Sequence, residues 1–295
     1  LWRRRTFRQL GVINACWIDA CRPFTIIQIL CRNSRLVIDK ASIASAVAGQ
    51  FYSLWRATGQ PGQGAIPTTA AACEHGLLGS FGFSQQTGPA TSYGAYLEAA
   101  SSNASMTLEI HDRLAHMGGL SGILTTAQTV NVDLNALLAT SNIDVRKGDS
   151  NYSDVQWWLE WYTDTGATAS NATVAVTYND ATSGNLTVTA VGGTLRASRM
   201  VNLNGLIPAA AAGKYIRDVD TVTLSASTAA AGNFGVTATR PRMTLFMPIA
   251  NAKFVSNWAD LGFPSIANGS CLFPIVLCST TTTGTLRGGG KVVHG

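Results

Sequence analysis

The stretch Val155-Gln156-Trp157-Trp158-Leu159-Glu160-Trp161-Tyr162 constrains the fold more than any other part of the chain. Read with a period of two, Val155, Trp157, Leu159 and Trp161 share one face, and Gln156, Trp158, Glu160 and Tyr162 share the other. Both faces carry large aromatic rings. The spacing therefore predicts a central strand covered on both sides, which needs a layer of structure above it and another below.

The same period recurs from about Ser92 onward. Met106, Leu108 and Ile110 alternate with Thr107, Glu109 and His111. Ala172 to Tyr178 and Asn185 to Val191 read as a hairpin across the turn-rich Asn179 to Gly184, and Thr221 to Ala226, Asn233 to Thr239 and Met243 to Ile249 continue the series. The fold class predicted is mainly β: an antiparallel β-sandwich or jelly roll with one N-terminal amphipathic helix and extended terminal arms. The helix is placed at Asp39 to Arg56, where Ile43, Val47, Phe51, Leu54 and Trp55 fall at helical spacing before Gly59 and Pro61. The divisions expected are an N-terminal arm (1–38), a helix with connecting loops (39–90), a β-sandwich body (91–250) and an extended C-terminal tail (251–295).

Composition bears on the surface. Only 13% of the 295 residues are charged, about half the usual ~25%, whereas 46% are apolar. A surface short of charge suits burial between neighbours more than solvation, so a homo-oligomer or a larger assembly is expected. The formal charge of +5 is concentrated at the start, in Arg3, Arg4, Arg5, Arg8 and Arg22. An arginine-rich arm docks on an acidic neighbour as readily as on phosphate, and specific nucleic-acid binding is not expected. Arg3, Arg4, Arg5 and Arg8, with Ile26, Ile27 and Ile29 of the apolar run after them, are the candidate assembly contacts. That run, Phe24 to Cys31, is about eight residues, far short of the ~20 that span a bilayer, so no membrane association is expected. Arg4-Arg5-Thr6-Phe7-Arg8 superficially resembles a twin-arginine signal, but Asn14, Asp19, Arg22 and Pro23 interrupt the apolar stretch that such a signal needs.

No set of residues converges on chemistry. The six cysteines lack Cys-x-x-Cys spacing; the seven-residue separation of Cys271 and Cys278 permits a local bridge that nothing else in the sequence supports, with isolated buried thiols the default. His111, Asp112 and His116 look most like a site, yet positions five apart on a strand point to opposite faces. Gly118-Gly119-Leu120-Ser121-Gly122 fails the nucleophile-elbow pattern, and Gly288-Gly289-Gly290-Lys291 fails the phosphate-loop pattern. Sequons at Asn103, Asn151, Asn171, Asn185 and Asn268 read as ordinary polar turn and strand residues. Neither catalysis, nor a metal, nor a cofactor is expected. Trp157, Trp158, Trp161 and Tyr162 suggest a sugar-stacking platform, against which stands their expected burial.

Several runs resemble virion structural proteins of tailed bacteriophages and prophages: Ile110 to His116 with Gly118 to Ser121, Thr125 to Val130, Trp158 to Thr163 and Thr221 to Ser227. The similarity spans roughly Ala41 to Thr239. It implies a place in the virus particle, assembled in the host cytoplasm, with the major capsid protein or other virion subunits as partners. A capsid decoration or cement protein that bridges shell subunits is the leading role. A head-fibre, neck or tail component is the alternative within that class, and a carbohydrate-binding or adhesion β protein the alternative outside it.

Overall fold

The alternation over Gln156–Thr163 folds as a strand whose two faces line two different cores, and the rest of the architecture follows from that double burial. The computed structural model describes residues 33–43, 45–193 and 196–295. In chain order the strands are β1 (Asn33–Lys40), β2 (Phe51–Ser53), β3 (Gly59–Gln60), β4 (Ala71–Ala72), β5 (Ser92–Ser101), β6 (Met106–Leu120), β7 (Gln128–Asp133), β8 (Gln156–Thr163), β9 (Ala172–Tyr178), β10 (Ser183–Val188), β11 (Arg199–Asn202), β12 (Ile216–Leu224), β13 (Asn233–Met247), β14 (Phe254–Asn257), β15 (Ser265–Ile266), β16 (Leu272–Leu277) and β17 (Leu286–His294).

Strands β13, β8, β11, β2, β16 and β6 pair in that order, and β6 pairs again with β13, closing a six-stranded antiparallel barrel. Closure leaves those strands without a free edge. A four-stranded sheet, β10-β9-β12-β7, packs on the barrel through Val174, Val176, Val219 and Val222 against Trp157, Leu159, Trp161 and Phe234. A six-stranded sheet, β14-β5-β17-β1-β3 with β15 on β5, packs on it through Leu36, Ile38, Leu97 and Val292 against Leu108, Ile110, Leu245 and Met247. The result is mainly β and antiparallel, as expected, but a closed barrel carrying two sheets replaces the two-layer sandwich.

β6 and β13 make this possible. Each has 15 residues, about 50 Å of extended chain, and one half of each faces one sheet while the other half faces the other. Asn233 to Thr239 and Met243 to Ile249, read from the sequence as two strands, are largely one. At the crossover the pairing slips: Ala238 faces Ala115 and Thr239 faces Arg113, so Leu114 is an extra residue on β6, while Pro241 faces His111 and Met243 faces Ile110, so Arg242 is extra on β13. Such bulges tolerate Pro241, which has no N–H for the ladder.

Three expectations are corrected. No helix occupies Asp39 to Arg56 among its described residues; β1 continues to Lys40 and β2 begins at Phe51. The apolar residues there serve different partners. Tyr52 and Leu54 enter the core under the six-stranded sheet, Trp55 enters the barrel and Val47 is exposed, a distribution that one helical stripe cannot supply. Residues 251–295 do not form an extended tail. β16 closes the barrel between β2 and β6, and β17 sits between β5 and β1 with Leu286, Val292 and Val293 buried. Likewise residues 33–38, assigned to the arm from sequence, pair with β17. The hairpin at Ala172 to Val191 is found as β9 and β10, with Ser183 opposite Thr177.

Candidate functional site

The barrel interior holds ionised and polar groups where an apolar filling would be the default. On β6, His111 and Arg113 point inward by simple alternation; the extra residue Leu114 resets the phase, so His116 points inward as well. The expectation that His111 and His116 face opposite ways is thereby overturned. β8 supplies Trp158, Glu160 and Tyr162 from the face opposite Trp157 and Trp161.

Arg113 donates through one nitrogen to both oxygens of Glu160, each at 2.8 Å, and both side chains are buried. Its guanidinium is held between the rings of Trp55 and Phe273, 4.5 and 4.4 Å from their centroids. Its other terminal nitrogen reaches His116 Nδ1 at 2.8 Å, and Thr237 donates to Glu160 Oε2 at 2.5 Å. Burial opposes the charge on both partners, but their mutual attraction outweighs it: Arg113 is held above its ordinary range and Glu160 below. Burial beside Glu160 raises the Tyr162 hydroxyl. Thr239 Oγ1 bridges His111 Nδ1 at 3.0 Å and Trp158 Nε1 at 2.8 Å, and His111 Nε2 meets Glu109 at 2.7 Å. With its main polar groups paired and the rings packed edge to face, this interior fixes register and shape.

Outside the barrel wall, Asp112 takes a second buried ion pair from Arg146, at 2.6 and 3.1 Å, while Arg146 also donates to the carbonyls of Cys73, Ser141 and Arg113. Cys73, Cys271 and Cys278 are buried free thiols, so the Cys271–Cys278 bridge does not form; Cys278 Sγ donates instead to the carbonyls of Thr280 and Thr282. Burial raises the Cys271 thiol. Among the described residues, no group of three or more His, Cys, Asp or Glu is placed to hold a metal ion, and no helix is long and apolar enough to cross a membrane.

Trp157, Trp158 and Trp161 are fully buried, which removes the sugar-stacking platform. The candidate assembly contacts Arg3, Arg4, Arg5, Arg8, Ile26, Ile27 and Ile29 lie outside the described residues. An exposed face with apolar residues lies elsewhere. On the face of the six-stranded sheet turned away from the core, Val255, Glu98, Gly289 and Val37 stand in register across β14, β5, β17 and β1. Val37 is 50% exposed and Val255 47%. Gly289 between them has no side chain, and Arg35, Tyr96, Glu98 and Lys291 wall a depression of about 380 Å³ above it. The glycines have a packing reason too: a Cβ on Gly288 would lie 2.0 Å from the Glu98 carbonyl oxygen. From sequence this run presents itself only as a failed phosphate loop. Glu160 also escapes the motif patterns, although its place in phase with Trp158 and Tyr162 on a doubly buried strand demands a cation opposite.

No protein-family model matches the sequence, and no curated protein does. Among solved structures, the infectious bursal disease virus Gt strain is 9% identical, with 89% of this chain and 81% of that chain covered, at a TM-score of 0.21. The crystal structure of the infectious bursal disease virus VP2 subviral particle is 10% identical, with 89% and 79% covered, at a TM-score of 0.18. No functional conclusion follows from TM-scores this low.

Proposed function

We propose that this protein is a structural subunit of a virus particle and has no catalytic role. The observation that carries the reading is the outward face of the six-stranded sheet, where exposed Val37 and Val255 lie on either side of a glycine-floored depression walled by Arg35, Tyr96, Glu98 and Lys291. A depression floored by glycine lets a neighbouring backbone or ring approach closely, its charged walls offer pairing to a neighbour, and the exposed valines beyond them gain from being covered. The low charge of the whole chain points the same way. The buried Arg113–Glu160 pair and closed barrel give a body of fixed shape on which such a face can be presented.

Within that role we favour a decoration or cement protein of a tailed-phage head, on the strength of the sequence resemblance, with a head-fibre, neck or tail component as the second reading. The test is binding of the recombinant protein to particles that lack it. Wild-type protein is expected to bind saturably, and Val37→Lys with Val255→Lys to lose most of that binding while keeping the same unfolding transition. Equal binding by the double variant would remove this face from assembly.

A further inference from the structure

A second feature, independent of the assembly reading, lies where the six-stranded sheet meets the barrel. A cavity of about 120 Å³ is lined by Arg146, Arg240 and Arg242, by the hydroxyls of Thr91 and Ser270, and by Asp112. Arg242 is the extra residue of the β13 bulge, the irregularity that aims its side chain here. The three arginines differ in how they are satisfied. Arg146 is bidentate with Asp112, and Arg240 binds Asp154 at 2.6 Å. Arg242, by contrast, reaches only carbonyl oxygens, its own neighbour Pro241 at 2.7 Å and Ser265 at 3.0 Å, and among the described residues no carboxylate pairs with it. Burial, with Arg240 beside it, lowers its guanidinium to about 10 against the opposing pull of Asp112 and Asp154.

Two further groups at this cavity lack partners. Ser270, only 1% exposed, has an unsatisfied hydroxyl, and Arg240 has an unsatisfied buried Nε–H. Buried donors without acceptors are costly, and an anion in the cavity would supply acceptors to both while pairing the charge of Arg242. Val145, 59% exposed, stands at the rim, so the cavity communicates with solvent.

We propose that this cavity binds one small oxyanion of phosphate size, held by the Arg242 guanidinium, Arg240 Nε and the Ser270 hydroxyl. Guanidinium groups bind phosphate oxygens in paired, charge-assisted hydrogen bonds, and the volume admits one such group and little more. The bound anion would tie β13 of the barrel to the loop after β15, since Ser270 lies in that loop.

Isothermal titration of the full chain with sodium phosphate, and separately with sodium acetate, at matched ionic strength tests this. One phosphate per chain is expected, bound more tightly than acetate. Arg242→Gln should weaken it by about tenfold or more, and Ser270→Ala by about threefold, as loss of one charged and one neutral donor implies. Ser270→Ala decides the matter if Arg242→Gln does not fold. Tighter binding of acetate would assign the site to a carboxylate and overturn the phosphate assignment. No saturable binding by the wild type, or unchanged affinity in the folded variants, would overturn the site altogether.

Discussion

Removing one member of the Arg113–Glu160 pair should cost far more than removing both. Glu160→Leu leaves the Arg113 guanidinium buried between Trp55 and Phe273 with no counter-charge, and Arg113→Met leaves the Glu160 carboxylate buried against Thr237 and Tyr162. Breaking a buried pair from one side costs about 3–5 kcal/mol, whereas an apolar replacement of both partners is often neutral or better. The double variant also strands Thr237, worth about 1 kcal/mol. Reversible urea unfolding of the wild type, both singles and the double gives the coupling energy directly. A coupling of at least about 2 kcal/mol is expected, with the double more stable than either single. Single variants that each cost less than about 1 kcal/mol, or costs that simply add, would refute the view that this pair is desolvated and mutually dependent.

Three other outcomes are expected from the geometry. Asp218 on β12 lies directly opposite Asp133 on β7, is 4% exposed, and is bonded by its neighbour Arg217; burial and Asp133 raise it to about 7. A folded pKa above the unfolded one stabilises fully below the unfolded value, so stability should fall by up to about 1.4 kcal/mol per pH unit from roughly pH 4 to 7 and then level off. Asp133, lowered by its hydrogen bonds, acts oppositely and only at more acid pH; Asp218→Asn should abolish the slope in pH-dependent melts. Gly235→Ala should destabilise by about 3 kcal/mol or more in the same assay, because its Cβ would stand 1.8 Å from the Met117 carbonyl oxygen across the β6–β13 ladder. Deleting Leu114, the extra residue of the bulge, should leave a regular β6–β13 ladder with His116 still facing inward but remove a buried leucine from the core under the four-stranded sheet, so the cooperative transition should persist with stability lowered by about 3 kcal/mol.

What the sequence disclosed was local. β8 and the β9–β10 hairpin were legible because their alternation is uninterrupted and their turn is rich in Asn, Asp and Gly. β6 was legible only up to His111, because the bulge at Leu114 breaks the period there, and with it the sign that Arg113 and His116 share an interior with Glu160. β17 was hidden by composition: Gly288, Gly289 and Gly290 carry no side-chain alternation and fall in the stretch assigned to an extended tail, yet neighbouring backbone comes too close for any Cβ at Gly288. The Asp39 to Arg56 stretch misled because residues bound for two cores happened to fall at helical spacing. Non-local pairing decided both cases, and one chain read residue by residue does not carry it.

The central claim, that this protein is built into a virus particle, is tested most directly by quantitative mass spectrometry of purified particles, with this chain counted against the major shell protein. A fixed stoichiometry that survives density-gradient purification and salt washing is predicted, with many copies per particle for a shell-wide decoration role. Absence of the chain from purified particles, with the protein recovered elsewhere in the infected cell, would contradict it.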